Sequence, residues 1–143
     1  MELHPIPEAA CIAFTRAGLI LAVTRKGDER SVNFPGGKRE PGESPEANAR
    51  REVLEETGIE LGAGALRLAF AGECEPEAGN PDSRVFWVEC FWAELPEGVE
   101  PSQMEEGVRP EWLSLSEFIE RSAFPAYNRK VAARLRELGW RGA

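Results

Sequence analysis

Apolar runs separated by short polar or glycine-containing stretches dominate the first third of the chain and predict strands. Ala9-Ala10-Cys11-Ile12-Ala13-Phe14 is apolar, and Leu19-Ile20-Leu21-Ala22-Val23 follows it across Arg16-Ala17-Gly18. Two such runs joined by a short turn read as a β-hairpin. Asp28 to Asn33 is polar and reads as a loop, after which Phe34-Pro35-Gly36-Gly37 offers a short strand end and a glycine turn. At residue 44 the pattern changes. Ser44 is a good N-cap, Pro45 suits the first helical position, and Glu46 complements the positive helix end. Gly58 can take the left-handed cap conformation, so a helix is expected from about Pro45 to Thr57. Leu66 to Phe70 and Val85 to Glu94 read as further strands. The second, with Phe86, Trp87, Phe91 and Trp92, is apolar enough to be central. Ser116 is expected to cap a short helix reaching about Arg121, and Pro125 to open a last helix that Gly139 closes. Strands mixed with three separated helices predict an α/β sandwich rather than a regular βαβ repeat.

Composition narrows the classes. The 143 residues are 42% hydrophobic and 29% charged, with no repeat or composition shift, which fits one domain over residues 1–143. No apolar run approaches the roughly 20 residues that span a bilayer. The N-terminus lacks a basic stretch followed by a long apolar segment, so a cytoplasmic protein is expected. A net charge of -8 repels polyanions and argues against extended nucleic acid as a partner. A small phosphorylated substrate stays open, because bound divalent cations reverse the local sign. Cys11, Cys74 and Cys90 have no CxxC spacing and read as reduced core thiols. His4, the only histidine, sits in a proline-flanked tail, so Ser-His-Asp and Cys-His mechanisms are not expected. Any hydrolysis must then run on carboxylates and a metal.

The residues between Gly37 and Ile59 carry that chemistry. Glu43 follows Gly37 after five residues, and Arg51-Glu52-Val53-Leu54-Glu55-Glu56-Thr57-Gly58-Ile59 follows after seven more. On a helix, Glu52, Glu55 and Glu56 stand at i, i+3 and i+4, so three carboxylates share one face. Their mutual repulsion would be offset by a hard divalent cation, Mg²⁺ or Mn²⁺. Arg51 could hold a carboxylate through its planar fork. Glu43 could add a ligand or pair with Arg51. Gly36 and Gly37 would let backbone approach a metal or phosphate closely.

This segment resembles the Nudix box, G-x5-E-x7-R-E-U-x-E-E-x-G-U with U aliphatic, at every fixed position over residues 37–59. The resemblance implies an α/β/α sandwich with a mixed β-sheet and a loop-helix-loop catalytic motif. It also implies Mg²⁺-dependent hydrolysis of a nucleoside diphosphate linked to another group. By the same resemblance, Glu52, Glu55 and Glu56 would bind the metal, or one of them, Glu52 by preference, would instead act as the general base. Gly37 would offer a carbonyl to the metal, and Arg51 would orient the glutamates. Phe34-Pro35-Gly36-Gly37-Lys38 is similar to the entry of the box in the MutT-type branch, whose members remove 8-oxo-dGTP. Glu106-Gly107 before Glu111-Trp112 resembles a stretch there that adds a carboxylate, with Glu105 as the alternate. Phe124-Pro125 and then Asn128 resemble the start of its last helix, whose asparagine reads a purine edge.

Phe124 and Tyr127 could stack on a base, and Arg25, Lys38 and Arg84 could meet substrate, the arginines through its phosphates. The expected reaction is hydrolysis of a (d)NTP, with oxidised purines included, to NMP and pyrophosphate, by a monomer or homodimer. An ADP-ribose or NDP-sugar pyrophosphatase is the alternative, and a nucleotide-sensing module without catalysis is a third reading. The polar stretch Glu73 to Asp82, with Pro76 and Pro81, need not match the MutT-type branch in shaping the base pocket.

Overall fold

Strand β1 (Glu8–Arg16) organises the sheet because residues 10–15 are buried on both of its faces. In the computed structural model, which describes residues 7–62, 64–74 and 85–142, β1 runs parallel to β6 (Phe86–Glu94) from Glu8↔Trp87 to Thr15↔Glu94. Its other edge is shared. Antiparallel β4 (Gly36–Lys38) covers Ala9–Cys11, and β2 (Leu19–Arg25) meets Thr15 and Arg16 as the expected hairpin. Beyond them, β2 pairs with β3 (Asp28–Asn33) and with β7 (Pro110–Leu113), while β5 (Arg67–Cys74) pairs antiparallel with β6. The main path is β3-β2-β1-β6-β5, a mixed sheet.

Side-chain alternation along β1 explains the layers. Ala10, Ile12 and Phe14 pack with Leu21 and Phe91 against Ala49 and Val53 of α1 (Pro45–Thr57). Cys11 and Ala13 face the other way with Ile20, Ala22 and Cys90. There they meet Phe118 of α2 (Leu115–Arg121) and Tyr127, Val131 and Leu135 of α3 (Pro125–Glu137). Helices therefore cover both faces, and the expected α/β/α sandwich is observed. Among the described residues, no helix is long and apolar enough to cross a membrane.

Local chemistry sets the helix limits. The Ser44 hydroxyl accepts from Ala47 N at 3.1 Å, and Gly58, at φ 73°, donates to Leu54 O at 3.0 Å. Four expectations need correction. Asp28 to Asn33 is a strand, not a loop. Its polar residues 28–30 are exposed while Val32 is buried, as in a half-covered edge. Gly36 and Gly37 lie in a strand rather than a turn, and β5 extends past Phe70 to Cys74. Strand β7 was not foreseen at all. The cap of α2 is Ser114 and not Ser116, because Ser114 and Glu117 form an S-x-x-E capping pair. His4 and Arg84 lie outside the described residues, as does the part of the Glu73 to Asp82 stretch beyond Cys74.

Candidate functional site

Helix α1 meets β4 along a polar seam. Asn48, Glu52 and Glu56 follow one another at i+4 and so lie in one row on the helix. Each touches β4. Asn48 Nδ2 donates to Gly37 O at 3.2 Å and to Lys38 O at 3.3 Å. Glu52 sits against the α-carbon of Gly37, where an added Cβ would stand 2.5 Å from Cδ and 2.7 Å from either carboxylate oxygen. Glu56 Oε1 accepts from Gly36 N at 2.7 Å. The absent side chain of Gly36 serves a different contact. A Cβ there would strike the Ala10 carbonyl and the Cys11 side chain, so Gly36 allows close strand approach rather than access for a ligand.

Arg51 holds the outer side of this seam. It grips Glu43 with both prongs, Nε to Oε2 at 2.7 Å and Nη2 to Oε1 at 3.0 Å. It also reaches Glu52 at 3.0 Å, Glu55 at 3.4 Å and Lys38 O at 3.0 Å. Of the two options left for Glu43, the structure shows the pairing with Arg51. These hydrogen bonds hold the Glu43 carboxyl below its ordinary range and push the Arg51 guanidinium further above its own. Glu55 is more open, with 58% of its side chain exposed against 18% for Glu52.

The carboxylates on this face are strained electrostatically. Burial raises Glu52, although Arg51 opposes the shift. Glu56 is pushed up to about 8, first by burial and then by the charges of Glu52, Glu105 and Glu55. In chelator, this group makes the folded protein most stable below the ordinary carboxyl pKa of about 4.5, and that stability is lost as pH rises towards about 8. Melting temperatures measured in EDTA should therefore fall between pH 5 and 8. Glu56→Gln should flatten the fall, and an unchanged slope would contradict the assignment.

Among the described residues, no three carboxylates or thiols converge closely enough to hold a metal ion as they stand. The donor chemistry nevertheless suits one. Glu52, Glu55, Glu56 and Glu105 repel each other around Glu56, and hard oxygen donors of this kind match a hard divalent cation. Glu105 and Glu106 separate here. Glu105 lines the same hollow as Glu56, whereas Glu106, the residue preferred from sequence, borders a separate hollow with residues 27–30. Gly107, at φ 82°, turns the chain between them and β7.

Two adjoining cavities complete the site. A polar one of about 380 Å³ holds Glu56, Glu105, Lys26 and Thr24. A mainly apolar one of about 290 Å³ is floored by Cys11, Val88 and Tyr127 and reaches Asn128. Arg25, Asn33, Phe34, Gly36 and Phe124 border both. The Arg25 guanidinium lies 5.6 Å from the Phe124 ring centre, and the Lys38 ammonium 5.8 Å from that of Phe86.

Tyr127 is mostly core, its hydroxyl donating to Val88 O at 3.2 Å. The three cysteines are buried as expected, with Cys11 and Cys74 edging the apolar cavity. Asn128 is 1% exposed, and its Nδ2 donates to Asn33 Oδ1 at 3.1 Å and to Ser122. Among the described residues that pairing leaves Asn128 Oδ1 and Asn33 Nδ2 without a protein partner. Sequence reasoning passed over Asn33 and Asn48. Asn48 had a signal, since it is a polar residue beside Ala49 on the buried side of an otherwise well-defined helix.

The NUDIX domain model matches residues 4–135. An 8-oxo-dGTP diphosphatase from Escherichia coli (strain K12) is 34% identical over 125 residues, covering 83% of this chain and 87% of that protein. An oxidized purine nucleoside triphosphate hydrolase from Danio rerio is 36% identical over 84 residues, or 56% of this chain and 47% of that protein. Among solved structures, a NUDIX hydrolase from Nitrosomonas europaea superposes with a TM-score of 0.74 at 21% identity, covering 96% of this chain and 93% of the other.

Proposed function

The chain belongs to the Nudix family of phosphoanhydride hydrolases, and on that premise we propose that it hydrolyses purine (d)NTPs, oxidised ones included, to NMP and pyrophosphate with Mg²⁺. The observation that carries this reading is the double cavity. A base-sized apolar chamber ending in an amide pair opens onto a polar chamber with Glu56 and Glu105. A nucleoside triphosphate has the same two-part chemistry.

Glu56 and Glu105, with Glu52 and Glu55, would hold the metal beside the Gly37 carbonyl. Bound there, a divalent cation would lower the pKa of a water and neutralise charge on the leaving phosphate. Glu52 accepts the proton of the attacking water, and Arg51 fixes its orientation through the 3.0 Å bond. The water oxygen forms a bond to one of the two phosphorus atoms of the α–β anhydride as that phosphorus loses its bond to the bridging oxygen, which gives NMP and pyrophosphate. Arg25, at the junction of the chambers, pairs with phosphate oxygens. Phe124 supplies an apolar ring for the base. The free acceptor of Asn128 and free donor of Asn33 read adjacent positions on the purine edge.

A panel of (d)NTPs, oxidised purine nucleotides, ADP-ribose and NDP-sugars tests the substrate. Purine triphosphates are expected to have the highest kcat/KM, and a clear preference for ADP-ribose or an NDP-sugar would defeat the reading. Asn128→Ala should lower kcat/KM for purine substrates by roughly 10- to 100-fold, the worth of a good paired base contact, and spare pyrimidines. Equal losses on both would mean that Asn128 does not read the base.

A further inference from the structure

We infer that Asn48, buried under the polar seam, is a positioning residue that sets the metal affinity of the site. Its side chain is 0% exposed on a helix face otherwise filled by Ala49, Val53 and Thr57. A single Nδ2 serves two consecutive carbonyls, Gly37 O and Lys38 O, at 3.2 and 3.3 Å. Consecutive carbonyls of a regular strand point to opposite sides, so one donor reaches both only where the strand end is bent towards it. Lys38 O also accepts from Arg51, three residues further along α1. Asn48 and Arg51 therefore clamp the end of β4 to the helix.

The position of β4 in turn sets that of the carboxylates. Glu52 lies against the Gly37 α-carbon with no room for one further atom, and Glu56 is bonded to Gly36 N. A displacement of β4 moves both. The clamp also comes at a cost to the fold, because Asn48 Oδ1 is buried with no hydrogen-bond partner. An unsatisfied buried acceptor is unfavourable, and an apolar residue of similar size would avoid it. Retaining an asparagine there is understandable if its donor is needed at the strand end, where Gly37 O is offered to a metal. This inference rests on the proposed function for the identity of the metal but not for the clamp.

Asn48→Ala and Asn48→Leu both remove the donor and the orphan acceptor together. Mn²⁺ affinity, read by electron paramagnetic resonance of the free ion, should weaken by about 10- to 100-fold, the usual cost of losing a group that orients metal ligands. The melting temperature in EDTA should stay within roughly 3 °C of wild type or rise. In turnover, kcat should fall while nucleotide KM stays constant. A folded variant with wild-type Mn²⁺ affinity would overturn the inference. Should one variant melt early, its affinity is measured well below its own transition, where the same two outcomes decide. A wild-type protein that binds Mn²⁺ but cleaves no nucleoside triphosphate would defeat the proposed function and leave the Asn48 result standing.

Discussion

Glu52→Gln is expected to lower kcat by about 10²- to 10⁴-fold, the contribution of a positioned general base, while nucleotide KM changes little. The substitution is nearly isosteric. The amide oxygen of glutamine can still accept from Arg51, which now bonds Glu52 at 3.0 Å, so the fold and the seam should persist. On the proposed function, the substitution removes the capacity to take a proton from water and one negative charge at the metal. Burial holds the Glu52 carboxyl above its ordinary pKa, against the opposing pull of Arg51. Steady-state kinetics at saturating Mg²⁺ checks this, and a kcat within tenfold of wild type would remove Glu52 from its role.

Gly37→Ala should be nearly as damaging to turnover, at about 10²-fold, although it adds a single methyl group far smaller than the substrate. The methyl carbon would stand 2.5 Å from the Glu52 Cδ, closer than non-bonded atoms allow, so either the carboxylate or β4 must shift. A shift near 1 Å at a reacting group is enough for a loss of that order. Gly37 does not have the positive φ that Gly58 needs for its cap, so backbone strain is not the cause. Stability should accordingly be nearly unchanged for Gly37→Ala. Wild-type kcat in this variant would show that Glu52 and β4 are not in the contact described.

How legible each feature was depends on how local its cause is. Helix α1 was legible almost to the residue, because Ser44, Pro45 and Gly58 act within a turn of themselves. The hairpin of β1 and β2 and the last helix were legible for the same reason. Strand β3 was not, since its polar residues become a strand only when Val23 to Arg25 offer an edge to pair with. The order Glu52, Glu55, Glu56 gave the carboxylate face, but spacing alone does not distinguish Glu105 from Glu106. Their separation comes from the Gly107 turn and from Thr24, whose hydroxyl donates to Gly107 O at 2.9 Å and accepts from Arg109 N at 2.8 Å. Asn33 became visible only through a partner 95 residues away, and the buried side of α1 hinted at Asn48 without revealing its partner 11 residues away.

Whether this carboxylate seam is the engine of nucleotide hydrolysis is decided most directly by product analysis in ¹⁸O-labelled water, with and without chelator. A purine nucleoside triphosphate should yield NMP and pyrophosphate, one of them carrying a single ¹⁸O per turnover, and EDTA should abolish the reaction. Release of NDP and orthophosphate, or turnover that survives EDTA, would contradict the account.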